Sequence, residues 1–401
     1  MTQPDDRPVR WGILATGGIA HAFARDLALQ PDGEVVAVGS RSQASADAFG
    51  DEFGVPHRHA SYQALVNDVD VDAVYVSTPH PGHHDAALLA ISAGKAVLVE
   101  KPFAMDAAQA REMIDAARDQ GTFLMEAMWT RFLPHIARVR EILAERTLGD
   151  VVYLTAEHGQ WFAQDPQFRL FAPELGGGAL LDLGIYPVSF ASLVLGVPAR
   201  ITAVSYPAFT GVDATTSMIF QYDSGAHAVL TTTLLAASGN PAAIYGTAAR
   251  LEIDGWFYTP TAFRVIARDG AELERFEEPY EARGLRGEAA EVGRCLRAGL
   301  LESPLLPLDE TYTIMQAMDE VRRQIGLSYR QPDRASREAR DRPGRAWPAA
   351  RTPSALRPGA LPQRRPGPAC KLLAPTLTPA AATSGPCCTP AADHPGLHAY
   401  P

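Results

Sequence analysis

The chain has 401 residues, enough for roughly two or three domains with a sizeable core. Hydrophobic residues make up 46% and charged residues 20% of it, which excludes a fully disordered chain or a coiled coil. The net charge is -10, and residues 1–330 alone carry -16 because residues 331–401 hold ten Lys and Arg against four Asp and Glu. Residues 1–330 carry so much negative charge that they repel the phosphates of nucleic acids, which disfavours nucleic acid as a partner.

The sequence predicts neither a membrane partner nor secretion. Its longest apolar stretch, residues 185–197, is interrupted by Tyr186, Pro187 and Ser189 and is too short to span a bilayer. The N-terminal residues lack the basic and then apolar order of a secretory signal. Only Cys295 of the four cysteines lies before the C-terminal tail, so no disulfide is expected in the body. We therefore expect a cytoplasmic protein.

Residues 1–127 predict an N-terminal Rossmann domain, an α/β fold with a doubly wound parallel sheet. Short apolar runs alternate there with segments of helical period, which is the βαβ rhythm. The predicted strands are residues 9–15, 34–39, 72–77, 96–100 and 122–127, and the predicted helices are residues 18–29, 43–53, 82–93 and 106–120.

Residues 128–330 predict a second α/β domain with a large, mostly antiparallel sheet. Consecutive strands with alternating polarity are typical of a sheet that faces solvent on one side. The predicted strands are residues 151–160, 200–206, 215–222, 226–234, 243–246 and 263–268, followed by helices at 287–298 and 309–324.

Residues 331–401 predict a disordered tail rich in Pro, Ala and Arg. They contain fourteen of the 32 prolines and show no hydrophobic period. Two explanations stay open. The tail is a flexible linker, or it is translated in a shifted frame of GC-rich DNA, which yields the same composition.

The turn after the first strand predicts a dinucleotide site. It fits the pattern G-x-G-x-x-G/A with alanine at the first and last glycine positions. The pattern needs a tight turn, then close backbone approach to a pyrophosphate, then a helix whose N–H groups face the phosphates. The residues of this turn are Ala15, Thr16, Gly17, Gly18, Ile19 and Ala20.

The end of the second strand favours NADP over NAD. NAD-binding domains place a carboxylate there for the ribose 2'-hydroxyl, whereas this chain has Ser40, Arg41 and Ser42. A guanidinium flanked by two hydroxyls suits a 2'-phosphate through charge-assisted hydrogen bonds. The alternative is that Arg41 is a solvated loop charge.

Four segments carry a resemblance to a known family. Residues 94–102 (GKAVLVEKP) and 176–186 (GGGALLDLGIY) resemble motifs of the Gfo/Idh/MocA oxidoreductases. Residues 78–83 (TPHPGH) and 126–132 (EAMWTRF) are most similar to the branch of dimeric dihydrodiol dehydrogenases and NADP-dependent xylose dehydrogenases. The resemblance covers roughly residues 9–328 and implies a homodimer that pairs through the open sheet of the second domain.

Three residues are candidates for catalysis. Lys101 follows a parallel strand and so borders the crevice where ligands bind in open α/β sheets. Asp182 and Tyr186 are four residues apart on a predicted helix and so share one face, and Pro187 is expected to interrupt that helix. The resemblance implies that Lys101 lies beside the nicotinamide, that Tyr186 donates and accepts the proton, and that Asp182 orients the substrate or the lysine. Many relatives carry histidine in place of Tyr186.

The resemblance also extends the cofactor site to Thr78, Pro79, His80, His83 and Glu100. An aromatic substrate pocket with recognition of an anion or a hydroxyl is a further prediction, although each of its residues also suits a core or surface position. Its candidates are Trp129, Arg131, Phe132, Trp161, Phe162 and Arg169. No metal site is predicted, because the histidines at 57, 59, 80, 83 and 84 are spread over a loop, a helix and another loop without a ligand motif.

These observations predict an NADP-dependent oxidoreductase that moves a hydride between the nicotinamide and a cyclic polyol or sugar. A trans-dihydrodiol and an aldose such as D-xylose both stay open as substrates. The alternative is a non-catalytic dinucleotide-binding regulator of the same fold. The acid/base pair of Lys101 and Tyr186 argues against the regulator, since a sensor has no need of it.

Overall fold

The computed structural model describes residues 7–277, 279 and 283–329. The predicted tail at residues 331–401 lies outside the described residues, and its two explanations therefore stay open.

The first sheet is parallel and six-stranded. Its strands are β1 (Val9–Leu14), β2 (Gly33–Gly39), β3 (His57–His59), β4 (Ala73–Val76), β5 (Ala96–Glu100) and β6 (Leu124–Ala127). Their order is β3-β2-β1-β4-β5-β6, so the direction of winding reverses between β1 and β4. Such a switch point opens a crevice at the carboxyl ends of the strands. The doubly wound Rossmann sheet is thus confirmed.

Strand β3 is a correction to the sequence prediction, which placed residues 57 and 59 in a loop. Its three residues pair in parallel with β2 at the edge of the sheet. The sequence His-Arg-His has no apolar run, because an edge strand with partly exposed side chains needs none.

Helices cover both faces of this sheet. They are α1 (Gly18–Leu27), α2 (Gln43–Phe53), α3 (Tyr62–Val66), α4 (His83–Ser92) and α5 (Ala107–Gln120). Separate buried clusters lie on the two faces, one around Trp11 and Phe23 and the other around Leu14 and Val76. Burial on both faces explains why β4 (AVYV) and the first four residues of β5 (AVLV) read as continuous apolar runs.

The second sheet has eight strands. They are β7 (Val151–Gly159), β8 (Arg200–Pro207), β9 (Asp213–Gln221), β10 (His227–Thr233), β11 (Ala242–Gly246), β12 (Ala249–Ile253), β13 (Phe263–Ala267) and β14 (Glu272–Phe276). Their order is β14-β13-β12-β11-β7-β10-β9-β8, and every pair is antiparallel except β7 with β10. The mostly antiparallel sheet is confirmed. Sequence analysis missed β12 and β14, which are short and rich in charged residues.

One face of the second sheet is covered and the other is open. Helices α6 (Pro134–Ala144), α7 (Ile185–Leu195) and α9 (Leu308–Ile325) bury their apolar residues against the covered face. In the described part of the chain, only the stretch Pro173–Leu195 is long and apolar enough to cross a bilayer, and 78% of its most apolar window is buried inside the protein. That burial is typical of a core helix.

Helix α8 (Leu285–Arg297) returns to the first sheet, although sequence analysis groups it with residues 128–330. Its apolar side chains pack in the cluster around Trp11. The carboxylate of Asp26, on α1, accepts hydrogen bonds from the backbone N–H groups of Gly284 and Leu285, each at 2.9 Å. Asp26 therefore caps α8 from a helix more than 250 residues away in the chain.

Replacing Asp26 by alanine is expected to lower the free energy of unfolding by about 1–3 kcal/mol, because two buried N–H groups lose their acceptor. The variant Asp26→Asn keeps an acceptor oxygen and is expected to lose less. Urea unfolding followed by circular dichroism measures both, and equal losses would show that the cap is not the cause.

Candidate functional site

The candidate site forms where the end of β5 meets the segment that leads into α7. Lys101 directly follows β5, and its Nζ donates to the backbone oxygen of Asp182 at 2.9 Å and to Oδ1 of Asp182 at 3.2 Å. Both side chains are largely buried. The structure therefore brings together two of the predicted catalytic residues from different domains.

The carboxylate of Asp182 also binds Arg169 and His80. Arg169 donates to its two oxygens at 2.9 and 3.2 Å, and Nε2 of His80 lies 3.5 Å from Oδ1. Burial alone would raise the pKa of Asp182, but Arg169 and Lys101 hold that pKa well below its usual range. We call these four residues the Asp182 cluster. It carries a net positive charge while His80 is neutral.

The backbone around Asp182 is a π-helical turn, Leu180–Gly184, that continues into α7. Pro187 does not interrupt the helix as expected: it follows the π-helical turn within a helix that continues to Leu195, although its missing N–H removes one intrahelical bond. The buried carboxylate of Asp213 accepts a bond from the N–H of Leu180 at 2.8 Å. This bond fixes the start of the turn that presents Asp182 and Tyr186.

Tyr186 lies beside the cluster, and its hydroxyl oxygen accepts a bond from Nε1–H of Trp129 at 2.8 Å. The Nζ of Lys101 is 5.0 Å from the centre of the Tyr186 ring, which is a cation–π contact. Burial raises the pKa of Tyr186 well above its usual value. The phenol is therefore protonated at neutral pH and is suited to donate a proton.

Sequence analysis missed three residues that surround Tyr186. The rings of His158 and Tyr258 stack at 3.9 Å, and their centres lie 5.2 and 4.9 Å from that of Tyr186. Gln160 donates to Nε2 of His158 at 2.8 Å, and burial lowers the pKa of His158 to about 3, so this ring is neutral. The signal for His158 and Gln160 is their place at the end of a predicted strand.

The predicted nucleotide turn has the required geometry. Ala15 adopts a φ of 85°, in the region that favours glycine, which matches its place in the pattern. Gly17 precedes α1, and a Cβ placed on it would meet no protein atom within 4 Å. A ligand can therefore come close to the backbone of Gly17. Thr16, Gly18, Ile19 and Ala20 complete the turn and the first helical residues.

Arg41 is exposed next to the buried Ser40 at the end of β2. Among the residues that the structure describes, none forms a hydrogen bond or an ion pair with its guanidinium. The N–H of Ser42 lies 3.4 Å from Oγ of Ser40. This arrangement leaves a free cation and nearby hydroxyls for an anion.

The residues after β4 hold the next part of the crevice. The hydroxyl of Thr78 is buried without a hydrogen-bond partner in the described residues, so a ligand can supply one. Pro79 precedes the short 3-10 turn that contains His80. His83 contacts the backbone oxygens of Pro102 at 2.9 Å and of Thr78 at 2.8 Å, so it joins two loops of the site.

The carboxylate of Glu100 contacts the backbone N–H of Lys101. It accepts bonds from this N–H and from the hydroxyl of Tyr75. Burial raises the pKa of Glu100 to about 7, although Lys101 opposes the shift. Glu100 thus fixes the backbone at the end of β5.

The six predicted substrate residues divide into two groups. Trp129 and Arg169 contact Tyr186 and Asp182 as described. The structure does not bring Arg131 to the cluster, because its buried guanidinium bonds to Ser189 and Glu310. The remaining three lie elsewhere: Phe132 packs in the cores, Phe162 packs in a small buried cluster, and Trp161 is 66% exposed.

Comparison with known proteins agrees with this arrangement. The trans-1,2-dihydrobenzene-1,2-diol dehydrogenase of Xenopus laevis is 38% identical over 332 residues, which cover 80% of this chain and 99% of the relative. The enzyme of that name from Homo sapiens is 37% identical over 335 residues, which cover 81% and 99%.

Solved structures show the same likeness. The aldose-aldose oxidoreductase from Caulobacter crescentus in complex with glycerol is 27% identical, with a TM-score of 0.73 over 79% of this chain and 97% of the other. The 3-ketoreductase KijD10 from Actinomadura kijaniata in complex with NADP is 28% identical, with a TM-score of 0.68 over 80% and 98%.

The family comparison covers both domains. Residues 9–128 match the oxidoreductase family with the NAD-binding Rossmann fold, and residues 136–252 match the GFO/IDH/MocA C-terminal domain. This chain therefore belongs to the Gfo/Idh/MocA family of oxidoreductases.

Proposed function

We propose that this protein is an NADP-dependent dehydrogenase that moves a hydride between the nicotinamide and a CH–OH carbon of a cyclic diol or an aldose. The observation that carries the proposal is the convergence of Lys101, Asp182 and Tyr186 at the edge of the parallel sheet that also carries the open nucleotide turn. Relatives named for a trans-dihydrodiol and for aldoses support the substrate class. Both kinds of substrate carry adjacent hydroxyls.

The residues of the crevice fit a dinucleotide. The open face of Gly17 and the N-terminus of α1 suit the pyrophosphate, and the unpartnered hydroxyl of Thr78 suits a polar group deeper in the crevice. The free guanidinium of Arg41 suits a 2'-phosphate, which favours NADP. When bound, the nicotinamide supplies the acceptor or donor of the hydride.

Lys101 and Tyr186 are suited to handle the proton of the substrate hydroxyl. An ammonium has three N–H donors, and Lys101 uses two of them on Asp182, so the third is available for a substrate oxygen. The oxygen of Tyr186 already accepts from Trp129, so its own proton can point at the substrate. In carbonyl reduction, Tyr186 gives this proton to the new alkoxide while Lys101 stabilises the negative charge.

The reverse direction needs Tyr186 to accept a proton. Burial and the negative charges of Glu100 and Asp182 raise the pKa of Tyr186 and so oppose the phenolate. The hydrogen bond from Trp129 and the nearby charge of Lys101 favour the phenolate. The Nζ of Lys101 contacts the face of the Tyr186 ring and not its hydroxyl group. Lys101 therefore assists Tyr186 by its field, and Asp182 opposes this effect.

The regulator is the weaker alternative. Burying Lys101 and Asp182 costs desolvation free energy, which a dinucleotide sensor has no reason to bear. A hydride-transfer enzyme gains from that same burial, because a charged donor acts more strongly on a developing alkoxide out of water.

A homodimer through the open face of the second sheet is part of this proposal. Val204, Tyr206, Ile219 and Val229 are exposed on neighbouring strands of that face, by 67%, 67%, 43% and 44%. Tyr153 and Tyr245 extend the apolar area by stacking at 4.2 Å. Large exposed apolar patches of this kind are typical of interfaces.

Replacing Lys101 by methionine is expected to lower turnover by a factor of about 100 to 10,000, because the substrate oxygen loses its cationic donor. NADPH absorbance with a panel of trans-dihydrodiols and aldoses measures turnover, and fluorescence titration measures retained NADPH binding. Lys95→Met is the matched control, since Lys95 precedes the same strand and, among the described residues, donates to the backbone oxygens of Asp68 and Val71. Turnover that persists in Lys101→Met would refute the role.

Replacing Arg41 by alanine is expected to weaken NADP binding by a factor of about 10 to 100, which corresponds to the loss of charged hydrogen bonds. NAD lacks the 2'-phosphate, so its affinity is expected to stay the same. Titration of the variant with both cofactors gives the comparison, and Arg25→Ala, another exposed arginine, serves as the control. An equal loss for both cofactors would remove the case for a 2'-phosphate site.

Replacing Val204 by glutamate is expected to convert the dimer to a monomer, because the change buries a charge in the proposed interface. Light scattering after gel filtration reports the mass. Val69→Glu makes the same change at a valine that is 84% exposed on the first domain. A monomeric wild-type protein, or a Val204→Glu dimer, would contradict the proposed interface.

A further inference from the structure

Strand β3 and the segment after α3 bring two histidines and an aspartate to one point. His57 and His59 are two residues apart on the strand and so project from the same face. The Nδ1 of His57 lies 2.7 Å and the Nε2 of His59 lies 2.8 Å from the same oxygen, Oδ2 of Asp68. All three atoms lie within 4.8 Å of one another.

This convergence differs from an ordinary histidine–carboxylate contact. His84 also meets two carboxylates at 2.8 Å, from Asp85 and Glu112, but they bind opposite nitrogens of its ring. No single point there is shared by several side chains. At Asp68 two imidazole nitrogens and one carboxylate oxygen lie within 4.8 Å of one another, close enough for all three to bind one ion.

The carboxylate of Asp68 is held in a fixed orientation by its hydrogen bonds. The Asp68 side chain is 7% exposed and accepts hydrogen bonds from the N–H of Asp70 and from the two histidines. The N–H of Asp70 holds Oδ1 at 2.9 Å, which orients the carboxylate and leaves Oδ2 for the histidines. Such an outer contact is what metal ligands in proteins have.

Access and geometry also suit an ion. The side chains of His57 and His59 are 38% and 24% exposed, whereas Asp68 is 7% exposed, so an ion can enter from solvent onto a fixed carboxylate. Separations of 2.7 and 2.8 Å between nitrogen and oxygen correspond to angles of about 80–90° at an ion with bonds of about 2.0–2.1 Å. An ion bound by two imidazoles and one carboxylate at such angles has further coordination positions, which water can fill.

We propose that His57, His59 and Asp68 form a binding site for a divalent transition-metal ion of the class of Zn²⁺ and Ni²⁺. Imidazole prefers these ions over Mg²⁺ and Ca²⁺, which favour sets of oxygen ligands. The ion replaces the protons that the two rings share with Asp68. Magnesium is therefore not expected to compete.

The site is separate from the Asp182 cluster. Strand β3 pairs with β2 at the edge of the sheet, and the N–H of Ser40 donates to the backbone oxygen of His59 at 3.0 Å. The proposal rests on the three ligands alone and does not depend on the proposed dehydrogenase activity.

Isothermal titration of the EDTA-treated full chain with ZnCl₂ or NiCl₂ tests the proposal. The variants His57→Gln and His59→Gln remove one ligand each, while a glutamine N–H keeps a donor for Asp68. Each variant is expected to lose the site or to weaken it by at least about tenfold. The melting temperature is expected to rise with metal in the wild-type protein and not in these variants.

His84→Gln is the matched control and is expected to bind like the wild-type protein. The full chain also contains Cys370, Cys387, Cys388, His394 and His398, which are present in every variant. Unchanged binding in His57→Gln and His59→Gln would place the ion on such residues and overturn the proposal. A wild-type protein that binds neither ion would overturn it as well.

Discussion

The buried carboxylate of Asp182 is the anion on which the rest of the site depends. It holds Lys101 from the first domain and Arg169 from the second, and it supplies the charge that balances Lys101, whose side chain is largely buried. Removing it would leave both cations without their shared partner, and Lys101 would be left largely buried without a counter-charge in the cluster. The position of Lys101 relative to Tyr186 is therefore set by an ion pair between domains rather than by the β5 strand alone.

That ion pair in turn requires a special backbone. The π-helical turn at residues 180–184 widens the start of α7, and Asp213 fixes its first N–H group from strand β9. A regular α-turn would still place Asp182 and Tyr186 on one face, but the widened turn also lets the backbone oxygen of Asp182 accept a bond from Lys101. Such π-helical turns are frequent at functional sites.

Sequence reasoning placed residues correctly where a local sequence pattern is compatible with only one backbone geometry. Lys101 and the turn at Gly17 follow strands directly, so their place at the crevice came from the βαβ rhythm. It failed for Arg131, because an arginine beside aromatic residues does not show whether its partner is a ligand or, as here, the distant Glu310. It also failed at Asp68, which meets His57 and His59 only because an unpredicted edge strand and a short helix fold the segment back.

The charges around Lys101 suit the chemistry of an alkoxide. Besides Asp182, three buried carboxyls lie nearby, and burial raises the pKa values of Glu100 and Glu126 to about 7 and that of Glu288 well above its usual value. Buried acids of like charge oppose one another's ionisation, so Glu100 is only partly ionised at neutral pH and offsets only part of the charge of Lys101. Lys101 and Arg169 then exceed Asp182 by one positive charge. An oxygen that becomes negative during hydride transfer enters a field that already favours it.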